Sequence, residues 1–187
     1  MNTKLKTLTI AEWDAMPHGD GNRYEIIEGS PFVSVWPGLT HQRVLTNLIF
    51  LLCSFVDDIV IAVHNPPLIL SEHTAVLPDM VYFSNEQRET IIRDDRLVEP
   101  PALIIEVVEP GIANIRRDCE VKLELYSKYA VPEYWLAYPK SRTVDRYAYR
   151  GSSLIRLNTL RNNDTLSTSI LPGFSCPLSE IFNRVGP

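Results

Sequence analysis

Two segments of this 187-residue sequence are nearly continuous runs of apolar residues that each contain one acidic residue. The first is Asp79–Phe83, directly after Pro78, and the second is Ala102–Val108, directly after Pro100 and Pro101. Such runs are typical of β-strands that are covered on both faces, as in α/β proteins. The sequence therefore predicts an α/β fold built around a central sheet.

The segments around these strands have the patterns of helices and hairpins. Leu39–Phe55 and Cys119–Tyr129 carry apolar residues three and four positions apart, which predicts two amphipathic helices. The other predicted elements are a short helix from Thr9 towards Pro17, a hairpin over Arg23–Val35, strands over Ile59–Val63 and Leu68–Leu70, a solvated loop with room for a helical turn over Glu86–Glu99, a meander of strands over Val131–Tyr138, Thr143–Arg150 and Leu154–Leu160, and a short helix over Leu178–Phe182. This order predicts one α/β (α+β) domain over residues 1–187, with helices flanking a mixed sheet.

Several protein classes are disfavoured by the sequence. The longest apolar run, Val44–Val56, is interrupted by polar residues and is shorter than the roughly 20 apolar residues that cross a bilayer. The N-terminus has no apolar block followed by a cleavage site. The three cysteines are widely spaced and form no C-x-x-C pair, which favours reduced thiols over zinc ligands. We therefore expect a cytoplasmic protein that has no membrane partner.

The acidic residues of the two apolar strands, Asp79 and Glu106, are the main candidates for chemistry. Burying an unpaired carboxylate costs several kcal/mol, so a cation has to lie nearby. If the strands are neighbours, both carboxylates can bind one divalent ion, and Mg²⁺ suits a site with few protein oxygens. Lys122, on the predicted helix after Glu106, has a side chain long enough to join them and to hold or deprotonate a water.

Each of these candidates also has a purely structural interpretation. Asp79 can accept a turn hydrogen bond at the start of its strand, and Glu106 can pair with an arginine of Arg116–Arg117. Lys122 can be a surface lysine that pairs with Asp118, four residues earlier. The residues alone leave these alternatives open.

Seven motifs follow one another along nearly the whole chain: TIAEW, YEIIEGS, the Thr40–His41–Gln42 start of the long helix, LPDMVYF, PPALIIEVVEP, KLELYSKYAVPEYW and LPGF. Each is weak by itself, but their order is specific. Together they resemble the Uma-type endonucleases within the PD-(D/E)XK restriction-endonuclease-like superfamily. The resemblance implies a restriction-endonuclease-like mixed sheet flanked by helices, with an N-terminal hairpin and a C-terminal meander.

The resemblance also implies a metal-dependent endonuclease that hydrolyses DNA phosphodiester bonds with Mg²⁺ or Mn²⁺. Asp79 matches the acid of the PD element and Glu106 the second acid, and the backbone carbonyl of Val107 is implied as a metal ligand. The chain has Val108 where a lysine is usual in the superfamily. In the Uma-type branch the lysine is implied on the next helix, where Lys122 stands.

Glu25 and His41 also match motif positions of this family. The resemblance implies that they are accessory residues, which hold a water, contact a phosphate or orient a neighbour. From the residues alone, Glu25 is equally well a solvated residue of the hairpin and His41 an ordinary residue of a first helical turn.

The charge of the chain supports a second hypothesis. The formal net charge is −5, and the arginines alternate with acidic residues, so the sequence has no basic stripe for nucleic acid. An acidic enzyme can still bind phosphates through a local patch and metal ions. The alternative is a catalytically inactive protein of nuclease fold that binds nucleic acid or protein. A homodimer is expected by analogy, because two copies can cut both strands of a duplex.

Overall fold

The computed structural model describes residues 7–17, 20–55, 60–63, 65–161 and 163–185, with the backbone alone for 60–63. The helices are α1 (Ile10–Asp14), α2 (Leu39–Phe55), α3 (Asn85–Ile91), α4 (Ile112–Arg116), α5 (Lys122–Lys128) and α6 (Leu178–Ile181), with a π-helical turn, Arg117–Val121, joining α4 to α5. The strands are β1 (Asn22–Ile27), β2 (Ser30–Val35), β3 (Val60–Val63), β4 (Leu68–Ser71), β5 (Thr74–Val76), β6 (Met80–Phe83), β7 (Ile92–Arg93), β8 (Arg96–Leu97), β9 (Leu103–Val107), β10 (Glu133–Tyr138), β11 (Thr143–Arg150), β12 (Ser153–Arg161), β13 (Thr165–Ser167) and β14 (Ser175–Pro177). The predicted strand residue Ile59 lies outside the described residues.

In the described part of the chain, the strands form two six-stranded sheets and one two-stranded hairpin. The hairpin sheet has the order β2-β1-β5-β4-β8-β7, and the central sheet has the order β12-β11-β10-β9-β6-β3. Both sheets are mixed, because β4 pairs with β8 and β9 with β10 in parallel while their other pairings are antiparallel. The structure confirms the predicted mixed α/β architecture.

The central strand β9 is buried along its whole length between two apolar clusters. Its residues Ile105 and Val107 pack with the buried face of α2, while Ile104 packs with Leu125 and Tyr126 of α5. Successive side chains of a strand point to opposite faces of a sheet. Glu106 therefore points towards α5.

The N-terminal hairpin forms as the sequence predicts. β1 and β2 pair along their full length, and residues 28 and 29 form the turn between them. Both turn residues have positive φ, 50° at Glu28 and 77° at Gly29, as the two-residue turns favoured in hairpins require. A side chain at Gly29 would also collide with Thr7. The turn therefore fixes the register in which β1 pairs with β2.

The predicted solvated loop over Glu86–Glu99 is only partly right. The helical turn is confirmed as α3, which Ser84 caps together with Gln87. The rest of the segment forms the short hairpin β7–β8, in which Leu97 is buried and pairs with Leu68 of β4. This strand was not predicted, because its charged side chains give a weak strand signal and its partner lies about thirty residues earlier in the chain. The strands β5, β13 and β14 were not predicted either.

Thr9→Ala is expected to lower the free energy of unfolding by about 1 kcal/mol, because Thr9 is the N-cap of α1. Its hydroxyl accepts from the backbone N–H of Glu12, and the Glu12 carboxylate accepts from the N–H of Thr9 at 2.9 Å. Urea denaturation measures the change. The control is Thr46→Ala, since the exposed Thr46 hydroxyl bonds only the Gln42 carbonyl within α2. Equal losses in both variants would show that the cap contributes nothing.

Candidate active site

Asp79 and Glu106 lie beside each other at one end of the central sheet. Asp79 directly precedes β6, Glu106 is in β9, and these two strands are antiparallel neighbours. The backbone N–H of Val107 donates to Asp79 Oδ2 at 2.8 Å, and that of Asp79 donates to Glu106 Oε2 at 3.4 Å. Both carboxyl groups are buried. The neighbouring strands thus bring together two acids that are 27 positions apart.

Lys122 is the first residue of α5 and is only 1% exposed. Its Nζ lies 2.8 Å from Glu106 Oε1 and 2.9 Å from Glu25 Oε1. The interpretation of Lys122 as a surface lysine is therefore wrong. Asp118 instead accepts two hydrogen bonds from Arg117, at 2.7 and 3.0 Å.

The π-helical turn before α5 determines which face Lys122 occupies. A π turn contains one residue more than an α-helical turn, and such insertions are frequent at functional sites. The extra residue rotates everything after it by about 100° around the helix axis, because an α-helix has 3.6 residues per turn. Lys122 and Tyr126 then face β9, and Tyr126 Oη donates to Glu106 Oε1 at 3.3 Å. Local hydrophobic spacing does not reveal this insertion.

The hairpin contributes two further charged side chains to the site. Glu25 on β1 is buried and accepts from the N–H of Leu77 at 2.7 Å, so its interpretation as a solvated residue is wrong. Arg23, two positions earlier on the same face, donates from Nη1 to Asp79 Oδ1 at 3.3 Å and to Asn65 Oδ1 at 2.7 Å. Arg23 was not among the predicted site residues. Its alternation with Glu25 is the signal that would have found it.

His41 lies in the first turn of α2 and is buried against the site. Its Nε2 is 3.3 Å from Asp79 Oδ1, and its Nδ1 is 3.5 Å from Glu109 Oε1. Neither ring nitrogen has a hydrogen-bond partner of suitable geometry in the described part of the chain. His41 can therefore still bind a group that enters the site.

The two central acids have opposite protonation behaviour. Burial raises the pKa of Asp79, but His41, Arg23 and the N–H of Val107 outweigh this effect and hold that pKa at about 2. Burial, together with the nearby carboxylates of Asp79, Asp118 and Glu25, outweighs Lys122 and raises the pKa of Glu106 to about 8. A divalent cation at the site would favour the charged form of Glu106.

The donor atoms at the site fit a hard divalent cation. The carboxylates of Asp79 and Glu106 are oxygen ligands of the kind that Mg²⁺ and Mn²⁺ prefer. Within the described ranges, no group of three or more His, Cys, Asp or Glu side chains has the arrangement of a metal site. Two protein carboxylates still suit Mg²⁺, because this ion usually keeps several waters and binds substrate phosphates. The residues present therefore fit a magnesium site and do not fit a zinc site of protein ligands alone.

A family model described as "Uma2: Putative restriction endonuclease" matches residues 10–179. This chain belongs to the Uma2 family. The assignment confirms the resemblance predicted from the seven motifs. No match is found among curated proteins.

A solved structure also resembles this Uma2 family member. It is the crystal structure of a "putative nuclease belonging to DUF820" from Anabaena variabilis ATCC 29413. The TM-score is 0.74 at 15% sequence identity, and the match covers 94% of this chain and 97% of the other. At this identity the likeness establishes the fold. None of the described helices is both long and apolar enough to cross a membrane.

Proposed function

We propose that this Uma2 family member is a metal-dependent endonuclease that hydrolyses DNA phosphodiester bonds with Mg²⁺ or Mn²⁺. The observation that carries the proposal is the convergence of Asp79, Glu106 and Lys122, all buried, at the end of one sheet. Two carboxylates can hold the divalent ion that assists phosphodiester hydrolysis, and an ammonium can stabilise negative charge beside it. The family assignment supports a nuclease.

The metal would be held by the carboxylates of Asp79 and Glu106 and by the backbone carbonyl of Val107. When bound, it supplies positive charge to the phosphate and acidifies a water. Arg23 and the N–H of Val107 hold the Asp79 carboxylate in place through its two oxygens. This leaves the side chain with little rotational freedom, as a preorganised ligand requires.

Lys122 acts as an ammonium in the proposed mechanism. Burial lowers its pKa, but Glu106 and Glu25 outweigh burial and raise the pKa above its ordinary value. A charged ammonium donates hydrogen bonds and stabilises negative charge, and it does not accept a proton from water. Lys122 therefore orients the attacking water or offsets charge on the phosphate. Glu25 is a positioning residue, because it holds the ammonium at 2.9 Å.

The alternative is an inactive protein of the same fold that binds nucleic acid or protein. The formal net charge of −5 favours it, since the chain has no general attraction for phosphates. The absence of a lysine at position 108 does not favour the inactive alternative, because Lys122 reaches the same acid. The expected homodimer, the cytoplasmic location and the single domain over residues 1–187 stay predictions.

Calorimetric titration with Mn²⁺ separates the two functions. We expect the wild-type protein to bind the ion and Glu106→Gln to bind it at least about tenfold more weakly, because an amide is a poorer ligand than a carboxylate. The control is Glu133→Gln, which changes a buried carboxylate at the opposite end of the same sheet, 2.7 Å from Arg146 Nη2. Equal Mn²⁺ affinities of the wild-type and Glu106→Gln proteins would contradict the metal site.

A further inference from the structure

An imidazole nitrogen of His41 lies beside the carboxylate of Asp79. The Nε2 atom is 3.3 Å from Asp79 Oδ1, and the contact lacks the geometry of a hydrogen bond. Two atoms that each bind one ion at about 2.1 Å lie roughly 3.0–3.4 Å apart when the angle between them is right-angled to tetrahedral. This nitrogen and this oxygen therefore have the separation of two ligands of one divalent cation.

The buried imidazole of His41 needs a partner for its nitrogens. The residue is 2% exposed, and neither ring nitrogen makes a hydrogen bond within the described part of the chain. Burial of this kind is costly, because the ring loses water without replacement. A neutral imidazole also carries a lone pair on one nitrogen, and a lone pair that faces a carboxylate oxygen needs a cation between the two atoms. An ion bound by Asp79 supplies that cation.

The Glu109 carboxylate faces the other nitrogen of the same ring. Its Oε1 lies 3.5 Å from His41 Nδ1 and accepts from the N–H of Gly38 at 3.2 Å. Histidines that bind metal ions commonly direct their second ring N–H at a carboxylate, which sets the tautomer and the orientation of the ring. A proton on Nδ1 leaves the lone pair of Nε2 directed at Asp79. Glu109 is therefore placed to act as a positioning residue.

The pocket beside the site gives the ion and its waters a way in. Its volume is about 1050 Å³, and His41 and Glu109 are among the residues that line it. A hard divalent cation such as Mg²⁺ usually keeps several waters and binds few protein atoms. A site on the wall of this pocket suits such an ion, because waters and phosphate oxygens can complete its coordination.

Asp79 is the common neighbour of the other two candidate ligands. Its N–H donates to Glu106 Oε2, and its Oδ1 faces His41. Within the described ranges, these three side chains do not form the compact group of a preformed metal site. The arrangement is that of a ligand set which the ion completes when it binds.

A nitrogen ligand changes which cation the site prefers. Mg²⁺ takes oxygen ligands and dehydrates reluctantly. Imidazole binds first-row transition metals, whose affinity depends on the nitrogen and oxygen ligands that a site offers. A site with two carboxylates and one imidazole therefore favours a transition metal ion over Mg²⁺.

We propose that His41 Nε2 is a nitrogen ligand of the ion bound by Asp79, so that the site prefers Mn²⁺ to Mg²⁺. The inference rests on the proposed metal-dependent function and adds a ligand and the identity of the cation. Glu109 orients the imidazole through Nδ1.

Electron spin echo envelope modulation tests the ligand directly, because a nitrogen bound to Mn²⁺ modulates the echo of that ion. Protein without a histidine tag is loaded with about half an equivalent of Mn²⁺, so that the tightest site is occupied first. We expect nitrogen modulation in the wild-type protein and none in His41→Gln. His73→Gln is the control and should keep the modulation, because His73 lies in the turn between β4 and β5 and its Nδ1 contacts the carbonyl oxygen of Leu8 at 2.8 Å. Absence of the modulation in the wild-type protein, or its persistence in His41→Gln, would overturn the proposal.

Calorimetric titration measures the preference between the two cations. We expect the wild-type protein to bind Mn²⁺ at least about tenfold more tightly than Mg²⁺. His41→Gln should lose about tenfold in Mn²⁺ affinity and less than about threefold in Mg²⁺ affinity, because only Mn²⁺ uses the nitrogen. Glu109→Gln should weaken Mn²⁺ binding less than His41→Gln does and should keep the nitrogen modulation. Equal losses for both ions in a His41→Gln protein with a wild-type circular dichroism spectrum would contradict the nitrogen ligand.

DNA cleavage distinguishes this inference from the proposed function. Cleavage by a wild-type protein that shows no nitrogen modulation would remove the His41 ligand and retain the nuclease. Nitrogen modulation in a Mn²⁺-loaded protein that cleaves no DNA would remove the nuclease and retain the His41 ligand.

Discussion

Replacing Asp79 with alanine is expected to lower Mg²⁺-dependent DNA cleavage about a thousandfold, the equivalent of roughly 4 kcal/mol of activation free energy. Asp79 is the proposed metal ligand with the lowest pKa, about 2, and is therefore charged without help from the ion. Its loss removes one of the two carboxylates that would hold the metal. Rates on single-stranded and plasmid DNA, in Mg²⁺ and in Mn²⁺, measure the effect.

Two further variants make the result specific. Asp79→Asn keeps the size of the side chain and an oxygen for the N–H of Val107, so it should fold normally and be equally inactive. Glu133→Gln, which changes a buried carboxylate at the other end of β10 that pairs with Arg146, should retain wild-type activity. Wild-type rates in both Asp79 variants would show that cleavage does not pass through this site. Wild-type protein that binds no Mn²⁺ and cleaves no DNA would favour the binding function instead.

Lys122→Met is expected to lower the free energy of unfolding by about 3–5 kcal/mol, because it leaves the buried, charged carboxylate of Glu25 without its cation. Glu25 and Glu106 are both buried, and each lies within 2.9 Å of the ammonium. Urea denaturation of the metal-free protein gives the value. Cleavage should be lost as well, because the ammonium beside the proposed metal is gone.

A second lysine of the same helix provides the control. Lys128 pairs with Glu28 at the surface, where its side chain is 60% exposed. An exposed pair of this kind contributes about 0–1 kcal/mol, so Lys128→Met should change stability little. The double variant Lys122→Met with Glu25→Gln should regain part of the lost stability, since it removes the uncompensated charge. Similar losses for both single variants would contradict the buried ion pair.

Lys122 places an ammonium beside Glu106 although residue 108 is a valine. Val108 follows β9 and packs in the same apolar cluster as Ile104, on the face of the sheet that α5 covers. A lysine at that position would approach Glu106 along the strand, whereas Lys122 approaches it from the helix across the same face. In either arrangement the lysine places its ammonium beside the Glu106 carboxylate. With the lysine on α5, residue 108 can be an apolar core residue.

Elements with strong local signals were predictable from the sequence. The apolar spacing of Leu39–Phe55 gave α2 its observed bounds, and the residues around Gly29 gave the hairpin. Elements that depend on pairing with residues distant in the sequence were not predictable in this way. The short strand β8 pairs with β4, and its own residues, Arg96 and Leu97, carry little strand signal.

The residues of the candidate site also differ in how far the sequence predicts them. Asp79 and Glu106 stand out in the sequence because a carboxylate in an apolar strand needs compensation. Arg23 was missed although it alternates with Glu25 on β1, and His41 was identified only through the family resemblance. They acquire a role only where β1 and α2 meet the end of the central sheet, 3.3 Å from one oxygen of Asp79.

The sequence by itself determined that two acids lie in buried strands, that the chain has an α/β fold and that it resembles the Uma-type family. Only the tertiary structure decided which cations meet those acids, that a π turn rotates Lys122 into the sheet, and that a pocket opens beside His41. The physical reason is that periodicity encodes which face of an element is buried. Periodicity does not encode which distant element covers that face. The charged side chains of the site come from β1, β9, α5 and the residue before β6.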